Sequence, residues 1–219
     1  MNASSIARRQ GAFAALRRLA RERSATEEED CEFCSAALPS GHRHLLEVAA
    51  RRIICVCDPC ALRFENVIGR WKLIPRDARR LGGFQITDAQ WDALALPINL
   101  AFLLQSSPAG RVLALYPSPA GATESLLPLP SWQTLVAQNP VLLRMEPDVE
   151  ALLVNRLQTT REYYIAPVDV CYRLAGLIRV HWRGLSGGSE VWQQVEGFFA
   201  GLSVQTAVLA PESPEATHA

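Results

Sequence analysis

Five of the six cysteines lie between Cys31 and Cys60, as "CEFC" and "CVCDPC". Two C-x2-C pairs, Cys31 with Cys34 and Cys57 with Cys60, stand 22 residues apart. Each pair lets two sulfurs converge on one ion at about 2.3 Å, the arrangement of a tetrahedral thiolate site. Four thiolates hold structural zinc, and a closed site of that kind contributes folding energy rather than chemistry. The same donors also suit iron, as a single ion or an iron-sulfur cluster, in which case the chain would carry electrons. Zn2+ is the expected metal and iron the alternative. Disulfides fit less well, because the chain shows no secretory signal and cytoplasmic thiols stay reduced.

Cys55, His42 and His44 leave alternatives open. On a strand, Cys55 and Cys57 point to one face, so Cys55 is a substitute ligand, a thiol beside the ligands, or a reactive spare. The two histidines are either ordinary surface or hydrogen-bonded groups or alternate ligands beside the cysteine pairs. Cys171 stands alone on the apolar face of a long predicted helix and reads as core.

Holding four sulfurs on one ion requires particular elements around them. "HRHLLEV" and "RRIICVC" are strand-like and separated by Ala49 and Ala50. After Pro59, "CALRFENVI" reads as a helix with Cys60 in its first turn, where the helix N-terminus favours thiolate. Knuckle, hairpin and helix in that order resemble a treble-clef zinc module.

At 219 residues the chain can bury one good core plus a smaller module. With 49% hydrophobic residues and a mean hydropathy of +0.05 it is too apolar to be disordered over most of its length. The expected order is a basic helical arm and acidic linker (1–30), the cysteine module (31–70), a basic connector (71–86), an α+β domain (87–204) and a disordered tail (205–219). In the α+β domain, Thr87 and Gln90 form a capping box for a helix carrying Trp91 and Leu94. "INLAFLLQS" and "RVLALYPS", joined by "SPAG", predict an antiparallel hairpin. Ser131 caps a helix over "WQTLVAQN", while "DVEALLVNRL" fits helix or strand equally. Val168, Cys171, Tyr172, Ala175, Ile178 and Trp182 recur at helical spacing, with Gly184 closing that helix. Ser189 caps a second C-terminal helix bearing Val191, Trp192, Val195 and Phe198, and both helices should pack on the sheet.

Other function classes lack support. No apolar run reaches the roughly 20 residues of a membrane span, and the "LALPINLAFLL" run contains Pro97 and Asn99. Arg17, Arg18 and Arg21 interrupt the apolar stretch an export signal needs, so the expected location is cytoplasmic. Net charge is zero, but residues 31 to 83 hold nine basic and five acidic residues. No aromatic and basic residues interleave there as a base-stacking surface requires, which argues against nucleic acid and leaves an acidic protein partner. Gly-x-Ser-x-Gly, phosphate-loop and His-Glu-x-x-His motifs are missing, so the chain is read as no enzyme. The loop "YPSPAGATESLL" is distinctive but reads as a turn. Cys171 and His181 lie about 15 Å apart along one helix, too far for a dyad.

Taken together, "CEFC", "HRHLLEV", "CVCDPCAL", "YPSPAGATESLL", "PVLLRMEPDVEALLVNR" and "CYRLAGLIRVHWRGLSGG" resemble an uncharacterised bacterial domain family encoded beside uptake nickel-iron hydrogenases of the high-affinity type. The resemblance spans about residues 31 to 200. It implies an accessory role in maturation, assembly or electron delivery, with a hydrogenase subunit or maturation factor as partner. It supplies no catalytic residues. On the binding reading, Arg43, Arg51, Arg52 and Arg63 are the contact candidates; on the electron-carrier reading, the cysteine region is an iron site.

Overall fold

A computed structural model describes residues 29–65, 67, 69–125 and 132–209. The basic arm, most of the acidic linker, Ser131 and the tail from 210 onward lie outside the described residues.

The fold is α+β and contains two sheets. A three-stranded antiparallel sheet has the order β2-β1-β3, from β1 (Arg43–Glu47), β2 (Arg52–Val56) and β3 (Trp71–Leu73). The short helix α1 (Asp58–Phe64) follows β2 directly, with Cys57 as its N-cap and Pro59 in its first turn, where a missing N–H costs nothing. The Ala49–Ala50 hairpin turn is tight, and Arg51 takes the left-handed conformation there, with φ +50°.

The larger sheet has seven strands in the order β10-β4-β9-β8-β5-β6-β7. These are β4 (Arg79–Leu81), β5 (Leu100–Ser106), β6 (Arg111–Ser118), β7 (Gly121–Glu124), β8 (Glu150–Asn155), β9 (Glu162–Pro167) and β10 (Ala207–Leu209). All neighbours run antiparallel except β10 beside β4. The predicted hairpin is β5–β6, and "EALLVN" is a strand rather than a helix. The expected tail from 205 begins within regular structure: α5 runs to Gln205 and β10 spans Ala207–Leu209. The connector contributes β3 to the small sheet and β4 to the large one.

Helices cover both faces of the large sheet. On one face α4 (Val168–His181) and α5 (Gly188–Gln205) bring Cys171, Leu174, Ile178, Val191, Val195 and Phe199 onto Phe102, Leu113, Leu153 and Tyr164. On the other, α2 (Asp88–Asp92), α3 (Trp132–Gln138) and a 3-10 turn (Pro140–Arg144) set Trp91, Leu135 and Leu142 against Leu103, Leu152, Val154 and Ile165. Burial on both faces explains why β5 and β8 read as unbroken apolar runs without the alternation of a half-exposed strand. The capping box of α2 forms as predicted: Gln90 N donates to Thr87 Oγ1 and Thr87 N donates to Gln90 Oε1.

The turn between α4 and α5 differs from expectation in detail. Helix α4 ends at His181 with Trp182 as C-cap, so Gly184 sits two residues beyond that cap, at φ +62°. Gly187, not Ser189, is the N-cap of α5, at φ +88°. A Cβ at Gly187 would meet Val191 Cγ1 at 2.9 Å, so the close approach of α5 to the turn leaves room only for glycine.

The two sheets share side chains. Leu46 of β1 and Ile74, just after β3, belong to the α4–α5 core of the large sheet. Lys72 Nζ lies 3.0 Å from Asp148 Oδ2 and donates to the Pro147 carbonyl. Arg51 donates to Glu124 at the far edge, and His44 bonds Asp169 at the start of α4.

Candidate metal centre

The first cysteine pair sits in a knuckle closed by the bridge between Asp30 and Ala37. Cys31 N donates to Ala36 O and Ser35 N donates to Cys31 O, both at 2.8 Å, and Ser35 reverses the chain at φ +57°. The second pair comes from the start of α1, where Ala61 N donates to Cys57 O at 2.9 Å. Glu32, between Cys31 and Cys34, clamps the knuckle to β2: its N–H donates to Cys55 O, and its carboxylate accepts from Cys55 N and Arg52. The sequence gives no signal for this clamp beyond a polar residue inside a C-x2-C.

The sulfurs of Cys31, Cys34, Cys57 and Cys60 all lie within 4.8 Å of one another, and Cys34 and Cys57 approach to 3.7 Å. Thiolates around a tetrahedral ion at 2.3 Å are about 3.8 Å apart, so closing on an ion takes shifts of about 1 Å at most. All six cysteines are free thiols. The four form a site able to hold a metal ion.

Its electrostatics are uneven. Burial pushes the Cys31 thiol up, but the backbone N–H groups of Cys57, Phe33 and Cys34 outweigh it and bring the thiol down to about 6. Desolvation and the neighbouring thiols push Cys60 up to about 12. At Cys34 the Ala36 N–H pulls down, yet the sulfurs of Cys31 and Cys57 leave the net shift upward. One group thus ionises readily while its neighbours resist, as expected where thiols crowd together and only a cation relieves their repulsion.

The chain belongs to the family of unknown function DUF5947. The family model matches residues 30–206, from the knuckle to the last turn of α5. Comparison with curated proteins and with solved structures returns no match.

In this DUF5947 chain Cys55 stands apart from the quartet. β2 ends at Val56 and the chain turns into α1 at Cys57, so the alternation that would align Cys55 with Cys57 is interrupted. Cys55 instead lies opposite His44 in the β1–β2 ladder, and it groups with His42 and His44. Burial, and then the charges of Glu29 and Glu32, push its thiol up. Cys171 is fully buried in the α4 face, and burial raises its thiol far above the ordinary range. His181 is paired with Glu190 at 3.0 Å, on another part of α4's surface.

Of the four arginine candidates, Arg43 pairs with Asp58, Arg51 with Glu124, and Arg52 with both Glu32 and Glu47. Arg63 is exposed on α1 beside Leu62, which is 64% exposed. The "PSPAGATES" stretch is the β6–β7 hairpin, stapled by Ser118 Oγ to Thr123 Oγ1 at 2.8 Å. Among the described residues no helix is long and apolar enough to cross a membrane.

Proposed function

We propose that the chain is a non-catalytic, zinc-binding accessory protein that acts through contacts with a protein partner. The observation that carries this reading is the convergence of four sulfurs from two separate parts of the chain, the knuckle and the start of α1. A module of this size has little apolar surface of its own to bury, and a structural ion supplies folding energy that such a module lacks. The ion stiffens the hairpin and α1, which present Arg52, Leu62 and Arg63 outward. The sequence resemblance described above supports a nickel-iron hydrogenase subunit or one of its maturation factors as that partner.

Elemental analysis and a visible spectrum of anaerobically purified protein test the metal, for the wild type and Cys57→Ser. The expected result is colourless protein that loses one equivalent of zinc, with thermal stability, on substitution. Iron with a visible chromophore would replace this reading with an electron carrier, for which the exposed Cys34 offers the outer edge of a redox site. Co-purification with tagged hydrogenase subunits tests the partner. Retention that is lost in a Leu62→Asp, Arg63→Glu variant supports it, and no retention removes it.

A further inference from the structure

We propose that this chain has a second metal site, separate from the cysteine quartet, formed by His42, His44 and Cys55 and suited to a divalent transition ion of the zinc class. One ligand atom from each of the three residues lies within 4.8 Å of the others, and no cysteine of the quartet belongs to the group. The hairpin register produces the juxtaposition: His44 on β1 faces Cys55 on β2 directly, and His42 stands just ahead of β1. Cross-strand partners project from the same face, so the imidazole and the thiol share one side of the ribbon.

The second observation concerns the imidazole nitrogens. His42 Nδ1 lies 3.2 Å from the Pro39 carbonyl oxygen, and His44 Nδ1 lies 2.8 Å from Asp169 Oδ2. Both partners only accept, so both Nδ1 atoms donate, which leaves Nε2 as the ring atom that can face an ion. The His42 side chain is 8% exposed, and its Nε2 is buried with no hydrogen-bond partner. A buried lone pair without a donor is a rare defect in a folded protein and an ordinary feature of a metal ligand. The His44–Asp169 pair is the carboxylate–histidine arrangement that orients a ligating imidazole and raises its basicity.

Glu29 Oε2 lies 3.4 Å from His42 Nε2, outside hydrogen-bonding geometry, on a side chain 64% exposed. It stands beside the three ligands, and with the Cys55 thiolate it would balance the two charges of the ion, leaving the fourth position to water. Two imidazoles, a thiolate and one exchangeable position form the donor set of an open zinc site, in contrast to the closed four-sulfur site. A cavity of about 320 Å³, lined by both histidines, Asp169, Arg76 and Arg173, opens beside the two imidazoles.

Zinc titration of the full-length, anaerobic protein against a chromophoric chelator tests the site, with cobalt(II) spectra showing how many thiolates each equivalent takes. The expected wild-type result is two equivalents, the weaker one carrying the charge-transfer intensity of a single thiolate. Cys55→Ser and His44→Gln lose the weaker equivalent and keep the tighter. Asp169→Asn retains every ligand and weakens the second equivalent about 10- to 100-fold, as removal of such an orienting partner does elsewhere. Cys57→Ser loses the tighter equivalent alone, so failure of the quartet and failure of this site give different patterns. Circular dichroism confirms that each variant is folded. Wild-type stoichiometry and affinity in all three of Cys55→Ser, His44→Gln and Asp169→Asn would overturn the proposal.

Discussion

Asp148 holds the two sheets together, and replacing it should cost more than any surface ion pair. Its carboxylate is 4% exposed, accepts from Ser107 N at 2.7 Å and Ser107 Oγ at 2.6 Å, and lies 3.0 Å from Lys72 Nζ. Removing one partner of a buried, hydrogen-bonded ion pair costs about 3–5 kcal/mol, because the partners left behind stay desolvated. Asp148 also adopts φ +72°, which Gly and Asn tolerate but Ala pays about 1 kcal/mol to reach. Urea denaturation at pH 7 followed by circular dichroism should therefore rank the variants. Asp148→Asn should lose about 1.5–3 kcal/mol. Asp148→Gly should lose about 3–5 kcal/mol, and Asp148→Ala about 1 kcal/mol more. The pH dependence follows from the direction of the shift. Burial raises the Asp148 carboxyl, but its bonds to Ser107 and the Lys72 ammonium outweigh that and hold it below the ordinary value. The ionised form is thus favoured in the folded state, and its stabilisation is fully present above the unfolded pKa of about 3.9. It is lost as pH falls through the lower folded value, so the gap between wild type and Asp148→Asn should narrow on acidification. Metal release at low pH affects both proteins alike and cancels in the difference. An Asp148→Gly protein within 1 kcal/mol of wild type would refute the reasoning.

Cys171 should not react with iodoacetamide at pH 8 in the folded, metal-free protein, while the exposed Cys34 labels; mass spectrometry after digestion reads both. Labelling of Cys171 before global unfolding would show that the α4 face opens. Thr87→Ala should cost about 1 kcal/mol by denaturation, since it removes one half of the capping box. Gly187→Ala should cost at least about 2 kcal/mol, combining left-handed strain with overlap against Val191 and Trp182. Gly184→Ala has the same strain and open space, and should cost only about 1 kcal/mol. Equal losses at the two glycines would show that the contact with Val191 is not rigid.

The elements legible in the sequence are those whose signal is local. The β5–β6 hairpin has two apolar runs and a turn between them, α2 has a capping box, and α4 keeps its period over 14 residues. The quartet is legible because C-x2-C spacing is itself a geometric statement. Strand β8 is ambiguous because all six of its residues are buried, which erases the alternation separating strand from helix. Strands β4 and β10, three residues each, have no periodicity to read, and pairing across more than a hundred residues creates them. The same holds for the side chains that complete the sites. His44 and Asp169 are 125 residues apart, and Lys72 and Asp148 are 76 apart. Only the topology makes them neighbours, and Asp169 in isolation reads as an ordinary acidic residue in a helix's first turn.

That topology also couples the metal centre to the larger domain. β1 carries His44 toward α4 and, through Leu46, places a side chain in the α4–α5 core. β3 is hydrogen-bonded to β1 on one side and runs through Ile74 into β4 on the large sheet. Loss of an ion held by the quartet would loosen the knuckle and α1, but β1 cannot leave without withdrawing Leu46 and breaking the Lys72–Asp148 tie beside it. Metal occupancy would therefore be felt in the knuckle and α1, while β1 stays anchored on the large sheet. A partner that docks on Leu62 and Arg63 of α1 would read the metal state of the chain without touching a single cysteine.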